Sequence, residues 1–319
     1  MITPSLTIIT GFLGSGKTTL LRALLERGAG GRRLGLVVNE LGQIGLDGGV
    51  LEQAGAAPLV ELTGGCVCCE AGSDFLLAVE ELSDYAPDCI VVETTGLAEP
   101  GGIIRRARSA GLPLDAVVAV ADAANLEAAL AVSPVAEWQL RAADLIVLSK
   151  VDLVAPAEHA AVSDRLRALN PRAAIVPARY GQVAPELLFG PRLDQADPSP
   201  RPDHLEQDAF SSLSWSSNTP LRRAALEEAL RDAGPTVFRA KGIVHCTDAP
   251  WPDEVQFVCG RLSFTPLRPR APLNPLNRLV LLGPRLAARA GHCAAALDAC
   301  ADDPARAAAW QARYAALFD

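Results

Sequence analysis

The sequence predicts a doubly wound α/β domain with a mostly parallel sheet, followed by a second, smaller α+β domain. Short apolar runs alternate with helix-like segments from the start of the chain to about residue 180, as in sheets whose strands are joined by crossover helices. A glycine-rich loop of the phosphate-binding type follows the first run. Residues 190–203, which are rich in Pro, Asp and Arg, then break the pattern and indicate a linker.

Seven apolar runs are the predicted strands of the first domain. They are almost continuously apolar, which is typical of strands that helices cover on both faces. They are residues 6–10, 34–38, 59–62, 89–93, 116–121, 145–148 and 174–177. Two sets of apolar residues at helical spacing predict helices that face the sheet. These sets are Leu20, Leu21, Leu24 and Leu25, and Phe75, Leu76, Val79 and Leu82.

The predicted organisation has three parts: a first domain at residues 1–190, a linker at 191–204 and an α+β domain at 205–319. In the last part, residues 221–233 and 304–317 are predicted helices. Its predicted strands are residues 242–246, 255–259 and 278–282.

Composition narrows the class of protein. The 319 residues are 50% hydrophobic, enough for an ample core, and carry a formal net charge of −8. This charge argues against a nucleic-acid partner, because binding a phosphate backbone needs clustered Lys and Arg. The apolar runs fall far short of the ~20 residues that span a bilayer. We therefore expect no nucleic-acid or membrane partner, and a cytoplasmic location.

Residues 11–18, GFLGSGKT, form a complete phosphate loop between a predicted strand and a predicted helix. Its glycines let backbone N–H groups turn toward phosphate oxygens, and the following helix adds its positive N-terminal end. Lys17 is predicted to neutralise the β- and γ-phosphates, and Thr18 to bind Mg²⁺ through its hydroxyl. The predicted nucleotide contacts are Gly11, Gly14, Ser15, Gly16, Lys17, Thr18 and Thr19. The first domain is thus predicted to be a P-loop NTPase fold.

Glu93 ends the fourth predicted strand and leads into a loop that contains Gly96. Ligands of such folds bind at the carboxyl ends of the strands. Glu93 is therefore a predicted catalytic residue, which holds the water shell of Mg²⁺ or orients the attacking water. The Gly96 N–H is a predicted sensor of the γ-phosphate. The alternative is that Glu93 is an exposed carboxylate at a strand end.

Ser149, Lys150 and Asp152 follow the sixth predicted strand, where GTPases carry Asn-Lys-x-Asp. An Asp carboxylate there accepts two hydrogen bonds from guanine that adenine does not offer, so GTP and GDP are the predicted ligands. Ser149 is shorter than Asn, and we expect its contacts to the base or the phosphate loop to be weaker or water-bridged. The alternative is that Asp152 only caps a helix.

Three thiols lie within four positions, at Cys66, Cys68 and Cys69, after the third predicted strand. Thiolates are soft ligands, and this spacing lets them converge on a tetrahedral ion such as Zn²⁺ or Cu⁺. The fourth ligand is open between water, Glu70, Glu40 and a group from a partner protein, and such an incomplete shell suits a carrier. The alternatives are buried apolar cysteines or a redox disulfide.

The loop at residues 39–48 follows the second predicted strand and contains glycines that permit movement. If Glu40 or Asp47 meets Mg²⁺ only when the γ-phosphate is present, the loop orders with GTP and relaxes after hydrolysis. An ordinary acidic connection is the alternative.

The remaining cysteines lie in apolar segments and are predicted to be buried. They are Cys89, Cys246, Cys259, Cys293 and Cys300. Cys246 and its neighbour His245 are predicted to point to opposite faces of a strand, so they do not chelate together.

Four landmarks, in order along the chain, resemble the CobW-type metallochaperone GTPases, which are relatives of the nickel-insertion GTPases of urease and hydrogenase. They are GFLGSGKTTLL, NELGQIGLDG, GGCVCC and ETTGLAEP. The segment SKVDL at the guanine position, with FRAKGIV, VQFV and NRLVLLG further on, extends the resemblance over nearly the whole chain. The most specific landmark is GGCVCC between the phosphate loop and ETTGLAEP.

The resemblance implies a GTPase that holds Zn²⁺ or Co²⁺ through Cys66, Cys68 and Cys69 and delivers the metal to a client metalloprotein. The sequence leaves open whether the chain forms a homodimer. Without a partner we expect slow hydrolysis, because the sequence shows no arginine finger supplied in cis. Two other functions remain as alternatives, a regulator that binds GTP and metal but inserts nothing, and a P-loop kinase of a small molecule. Metal transfer to an apo client identifies the chaperone, and a phosphorylated product identifies the kinase.

Overall fold

The computed structural model describes residues 4–38, 59–61, 72–190 and 210–318, except residues 235, 270 and 285, with the backbone alone at 59–61 and 72–74. Contacts divide the chain into two compact units, Met1–Phe189 and Gly190–Asp319. The predicted linker at 191–204 lies outside the described residues, so the three-part division stays a prediction. No helix in the described ranges is long and apolar enough to cross a membrane.

The first unit is built on a seven-stranded sheet whose neighbouring strands all run parallel. The strands are β1 Ser5–Thr10, β2 Leu34–Val38, β3 Leu59–Glu61, β4 Cys89–Glu93, β5 Leu114–Asp122, β6 Leu145–Ser149 and β7 Ala174–Ala178. Their order across the sheet is β3-β2-β4-β1-β5-β6-β7. Since β1 lies inside the sheet and crossovers lead to both edges, the predicted doubly wound parallel fold is confirmed.

The described residues of the first unit contain seven helices, six between strands of the sheet and one after β7. They are α1 Lys17–Glu26, α2 Gly72–Ser83, α3 Gly101–Ser109, α4 Leu126–Val132, α5 Pro134–Ala142, α6 Pro156–Leu169 and α7 Pro185–Phe189, with 3-10 turns at Gly28–Gly31 and Val151–Leu153. The four predicted leucines of α1 are buried, as are Phe75, Val79 and Leu82 of α2. Leu76 was also predicted to face the sheet, but it is 40% exposed. Successive side chains along a helix point about 100° apart, so Leu76 turns away from the sheet that its neighbour Phe75 faces.

The second unit contains a five-stranded sheet, antiparallel at every pairing. Its strands are β8 Phe210–Ser217, β9 Arg239–Val244, β10 Asp253–Val258, β11 Arg261–Pro266 and β12 Asn277–Pro284, in the order β11-β10-β9-β12-β8. The helices are α8 Arg223–Asp232, α9 Ala290–Asp298 and α10 Pro304–Ala315, with a 3-10 turn at Leu286–Arg289. Trp215, Phe257 and Leu281 from the sheet pack with Leu226 of α8 and Leu297 of α9. The predicted smaller α+β domain is confirmed.

Three elements of this unit escaped the sequence patterns, namely β8, β11 and α9. In β8 the residues between the core positions are serines, and Ser212, Ser214 and Ser216 are exposed. A strand with so few apolar residues gives a weak signal on its own, because its stability comes from pairing with β12.

Two predictions about cysteines need correction. Strand β9 ends at Val244, so the predicted strand at 242–246 is wrong at its end. His245 and Cys246 therefore do not lie on opposite faces of a strand, and both are fully buried. Cys259 is only half-buried, whereas the other four cysteines predicted to lie in the core are buried. Cys259 is in the tight turn between β10 and β11, where a side chain gains less cover than in a strand.

Candidate nucleotide-binding site

The phosphate loop joins β1 to α1 and packs closely on the end of β5. Gly11 has a φ of +142°, and a Cβ there would lie 2.4 Å from the carbonyl oxygen of Val120. Gly16 precedes α1 with a φ of +103°, in the range that favours glycine. Gly14 has a φ of +72°. The glycine spacing is thus required by the close approach to β5 and by the turn into the helix.

Lys17, the first residue of α1, folds back over this loop. Its Nζ donates to the carbonyl oxygen of Gly11 at 2.8 Å and to that of Phe12 at 3.4 Å. The side chain is 8% exposed. The ammonium is therefore held inside the loop that is expected to wrap a phosphate, where a positive charge has most effect.

Thr18 and Glu93 are brought into contact by the pairing of β1 with β4. The Thr18 hydroxyl donates to Oε1 of Glu93 at 3.0 Å, and Glu93 is 7% exposed. The alternative of an exposed carboxylate at the strand end does not hold for this residue. Two oxygen ligands of this kind fit a hard cation such as Mg²⁺.

Gly96 lies against the phosphate loop. A Cβ on Gly96 would lie 2.5 Å from Cδ2 of Leu13 and 2.7 Å from its backbone nitrogen. The surrounding residues form a turn that a hydrogen bond closes from the Ala98 N–H to the Thr95 carbonyl oxygen, at 3.1 Å. The turn, called here the Gly96 turn (Thr95 to Ala98), can approach the loop so closely because residue 96 has no side chain.

Gln139 of α5 holds the Gly96 turn from the other side. Its Nε2 donates to the carbonyl oxygens of Gly96 at 3.1 Å and of Ala98 at 3.0 Å. The residue is 1% exposed. Sequence reasoning missed it, because a single Gln in a helical segment is ordinarily a surface residue.

Ser149 contacts the phosphate loop directly. Its Oγ lies 2.6 Å from the carbonyl oxygen of Ser15 and 3.1 Å from that of Ala121. The contact to this loop is therefore direct, whereas a weaker or water-bridged contact was expected, and the expectation for the base stays a prediction. A Cβ at Gly16 would lie 3.7 Å from the Ser149 hydroxyl, an ordinary contact distance, so Ser149 also lies next to the start of α1.

Lys150 and Asp152 take different positions after β6. Lys150 has a φ of +57°, and its Nζ lies 2.6 Å from Oδ2 of Asp122. Burial by itself raises the pKa of Asp122, but the hydrogen bonds from Lys150 and Asn125 hold it below the usual range. Asp152 is exposed in the 3-10 turn, and α6 begins only at Pro156, so Asp152 is not the N-cap of that helix.

Asp122 is a second residue that sequence reasoning missed. It ends β5 at the same edge of the sheet as Glu93, and like Glu93 it is an acidic residue at the carboxyl end of an apolar run. Arg22 is a third. It lies on α1 one turn after Thr18, and this spacing of four residues places both on one side of the helix.

A cavity of about 400 Å³ opens over the phosphate loop, within the range of small-molecule sites. Its lining includes Gly14, Gly16, Lys17, Thr18 and Thr19 from the loop and α1, Arg22, and Glu93 to Gly96. Both parts of the predicted phosphate site, the phosphate loop with α1 and the segment from Glu93 to Gly96, thus line one cavity.

The predicted metal ligands Glu40, Cys66, Cys68 and Cys69 lie outside the described residues. Within the ranges that are described, no group of three or more His, Cys, Asp or Glu residues is placed to hold a metal ion.

A parallel doubly wound sheet, a phosphate loop on its central strand and a Thr18–Glu93 pair facing that loop define a P-loop nucleotide-binding protein. Residues 5–177 match the family model of the CobW/HypB/UreG nucleotide-binding domain, and residues 210–301 match the cobalamin synthesis protein cobW C-terminal domain. The chain therefore belongs to the CobW/HypB/UreG family of GTPases, and the resemblance found in the sequence is confirmed.

Several relatives have curated names. The chain is 35% identical over 237 residues to the zinc chaperone CobW of Sinorhizobium sp, and the match covers 63% of this chain and 67% of that protein. It is 29% identical over 304 residues to the zinc chaperone YjiA of Escherichia coli, covering 88% and 94% respectively. The zinc-regulated GTPase metalloprotein activator 1 of Schizosaccharomyces pombe is 33% identical, and the match spans 52% of its length. The crystal structure of Zn(II)-bound YjiA GTPase from E. coli aligns over 95% of this chain and 100% of its own, with a TM-score of 0.49 and 24% identity.

Proposed function

We propose that this chain is a GTP-hydrolysing metallochaperone that loads zinc on Cys66, Cys68 and Cys69 and passes it to a client metalloprotein. The observation that carries the proposal is the 3.0 Å hydrogen bond between Thr18 and Glu93 beside the phosphate loop. It supports a site for a metal-bound triphosphate in a family whose relatives are named zinc chaperones. Zinc is the cargo in this proposal, and cobalt is the other candidate.

The phosphates bind at the N-terminus of α1. The loop from Gly11 to Gly16 and the first turn of α1, including Thr19, offer N–H groups to the phosphate oxygens. Lys17 exchanges the carbonyl oxygens of Gly11 and Phe12 for oxygens of the β- and γ-phosphates. That exchange is favourable because a phosphate carries full charge whereas a carbonyl carries a partial one.

Thr18 and Glu93 would hold Mg²⁺, Thr18 through its hydroxyl and Glu93 directly or through water. When bound, this ion neutralises charge on the phosphate oxygens. Glu93 is buried, so its carboxylate is held at one place, where it orients the attacking water. The Gly96 N–H contacts the γ-phosphate, and the Gly96 turn thereby distinguishes GTP from GDP.

Guanine is recognised at the end of β6. The Asp152 carboxylate accepts hydrogen bonds from the base, and Lys150, fixed by its ion pair with Asp122, lies beside it. Ser149 ties this strand end to Ser15, so the base and the phosphates are recognised by two segments held at a fixed spacing. Glu40 and the loop around it then respond to the nucleotide state and alter metal affinity at the cysteines, and a client or a second copy of the chain binds in one state.

The test is a zinc titration of the reduced protein against a chromophoric competitor, with GDP or a non-hydrolysable GTP analogue present. A triple variant with Cys66, Cys68 and Cys69 changed to Ser is compared with Cys259→Ser, a half-buried thiol remote in sequence. We expect the triple variant alone to lose tight zinc binding, and the wild-type affinity to differ between the nucleotides. Zinc binding that survives the triple substitution would sink the proposal.

A second assay separates hydrolysis from the kinase alternative. The wild-type protein with GTP and Mg²⁺ should release inorganic phosphate, more slowly with ATP. Transfer of the phosphate to a small molecule, with no free phosphate, would contradict the proposed reaction.

A further inference from the structure

We propose that Gln139 is a positioning residue of this site, which holds the Gly96 turn against the phosphate loop and links its position to the outer surface of α5. The inference rests on the proposed GTPase function. It concerns a side chain that contacts neither phosphate nor base and acts only through the turn.

The two hydrogens of one amide group hold this turn. Nε2 of Gln139 lies 3.1 Å from the Gly96 carbonyl oxygen and 3.0 Å from that of Ala98. Because the side chain is 1% exposed, water does not compete for these bonds. In a trans peptide the C=O of one residue and the N–H of the next point in opposite directions. The two bonds therefore orient the Leu97 and Glu99 N–H groups. They also fix the position of the turn as a whole, and with it the Gly96 N–H on which the proposed γ-phosphate contact depends.

The turn is fixed on two sides. On one side Gly96 approaches the backbone of Leu13 so closely that a Cβ would lie 2.7 Å from the Leu13 nitrogen. On the other side stands Gln139. A displacement of the turn has to break the amide hydrogen bonds or move α5 with it, so the phosphate loop, the turn and the helix form a series of direct contacts.

The turn alone determines the orientation of the amide. Oε1 of Gln139 is buried and has no hydrogen-bond partner among the described residues. Gln139 lines a cavity of about 40 Å³ together with Gly11, Phe12 and Ser15 of the phosphate loop. The opposite orientation would place Oε1 against two carbonyl oxygens, which repel it. Changing this side chain therefore perturbs the turn and leaves no other described hydrogen bond broken.

The next residue on α5 provides a reporter. Trp138 is 49% exposed, and the other three tryptophans, Trp215, Trp251 and Trp310, lie in the second unit. Movement of the turn that reaches α5 through Gln139 changes the surroundings of Trp138. A nucleotide-dependent change in emission that disappears in Trp138→Phe is then assigned to this helix.

The experiment uses the full chain with Gln139→Glu, which keeps the size of the side chain and removes both donors. Glu137→Gln is the control, since it makes the reverse change at an exposed position of the same helix. If Gln139→Glu does not fold, Gln139→Met replaces it as the variant that lacks both hydrogen-bond donors. We expect Gln139→Glu to keep GDP affinity within about two-fold, to lower kcat for GTP by about ten-fold or more, and to lose the analogue-induced Trp138 signal. Activity should recover in part at lower pH, where a protonated carboxyl donates one hydrogen bond.

The outcomes separate this inference from the function it rests on. If the wild-type protein does not hydrolyse GTP, the proposed function and this inference both fail. Wild-type hydrolysis with unchanged kcat and an intact Trp138 signal in the Gln139 variants overturns the positioning role alone. Equal losses of GDP and analogue affinity, with kcat unchanged, would show a structural contribution only and would also overturn it.

Discussion

The Ser149 hydroxyl donates a hydrogen bond to the carbonyl oxygen of Ser15, across 2.6 Å. It connects the end of β6, where the base is expected, to the phosphate loop at the end of β1, although β5 lies between these two strands. Ser149 therefore ties the end of β6 to the phosphate loop, and in the proposed function it would fix the spacing between the base site and the phosphate site.

Ser149→Ala is expected to weaken GDP binding by about three- to ten-fold, because one buried hydrogen bond contributes roughly 0.5–1.5 kcal/mol. The preference for GDP over ADP should persist, since Asp152 is unchanged. Isothermal titration with both nucleotides measures the two quantities. Ser83→Ala, at an exposed serine that bonds only its own helix, is the control and should bind both nucleotides as the wild type does. A loss of base selectivity in Ser149→Ala would show that Ser149 contacts the base.

Glu93→Gln tests the carboxylate at the end of β4. The amide oxygen still accepts the Thr18 hydrogen bond, so the fold and GDP binding without Mg²⁺ should be retained. Loss of the charge should lower kcat for GTP by about 100-fold or more, the scale of an acid or base that acts on water. Phosphate release over a Mg²⁺ titration gives the measurement. The control is Glu99→Gln, an exposed carboxylate a few residues further along, and wild-type turnover in Glu93→Gln would rule out the assigned role.

Gly96→Ala tests the contact of the Gly96 turn with the phosphate loop. The new Cβ would lie 2.7 Å from the Leu13 nitrogen, and because this atom is backbone, the turn or the loop has to shift. We expect a lower affinity for the GTP analogue, with a smaller effect on GDP, measured by competition with a fluorescent nucleotide. At Gly291 on α9 no atom lies within 4 Å of an added Cβ, so Gly291→Ala should leave both affinities unchanged. Wild-type analogue affinity in Gly96→Ala would contradict this contact.

The sequence predicts much of the first unit because its information is local. The runs at 34–38 and 89–93 match β2 and β4 residue for residue, since each is a buried strand bounded by polar residues. The phosphate loop is recognisable because Gly11 and Gly16 are required by backbone conformation, which leaves a trace in the sequence.

Contacts between distant segments could not be predicted in the same way. Gln139 and the carbonyl oxygen of Gly96 are 43 residues apart, and no pattern in either segment points to the other. Asp122 is an intermediate case. Its position at the end of a strand can be read from the sequence, but its ion pair with Lys150 forms only when the sheet brings β5 and β6 together. Strand β8 was missed because five of its eight residues are serines, whose place in the sheet depends on β12.

His245 makes the stability of the second unit depend on pH. The ring is fully buried, with its centroid 5.1 Å from that of Trp310 and 4.8 Å from that of Tyr314. Burial lowers the pKa of His245 to about 4 in the folded chain, whereas an unfolded histidine titrates near 6.5. As the pH falls below about 6.5 the unfolded chain binds a proton that the folded chain does not, so the free energy of unfolding decreases until the pH reaches about 4.

Because of this difference in pKa, the free energy of unfolding should fall by about 2 kcal/mol between pH 7.5 and pH 5. Urea unfolding of the full chain, followed through tryptophan emission, measures it. In His245→Phe, which keeps an aromatic ring against Trp310 and Tyr314, that part of the pH dependence should vanish while the contribution of the carboxylates remains. The matched variant His292→Gln removes an exposed histidine and should retain the full wild-type dependence. If His245→Phe and the wild type lose stability equally over this range, the ring is protonated in the folded chain as readily as in the unfolded one, and burial against the two aromatic rings does not control its charge.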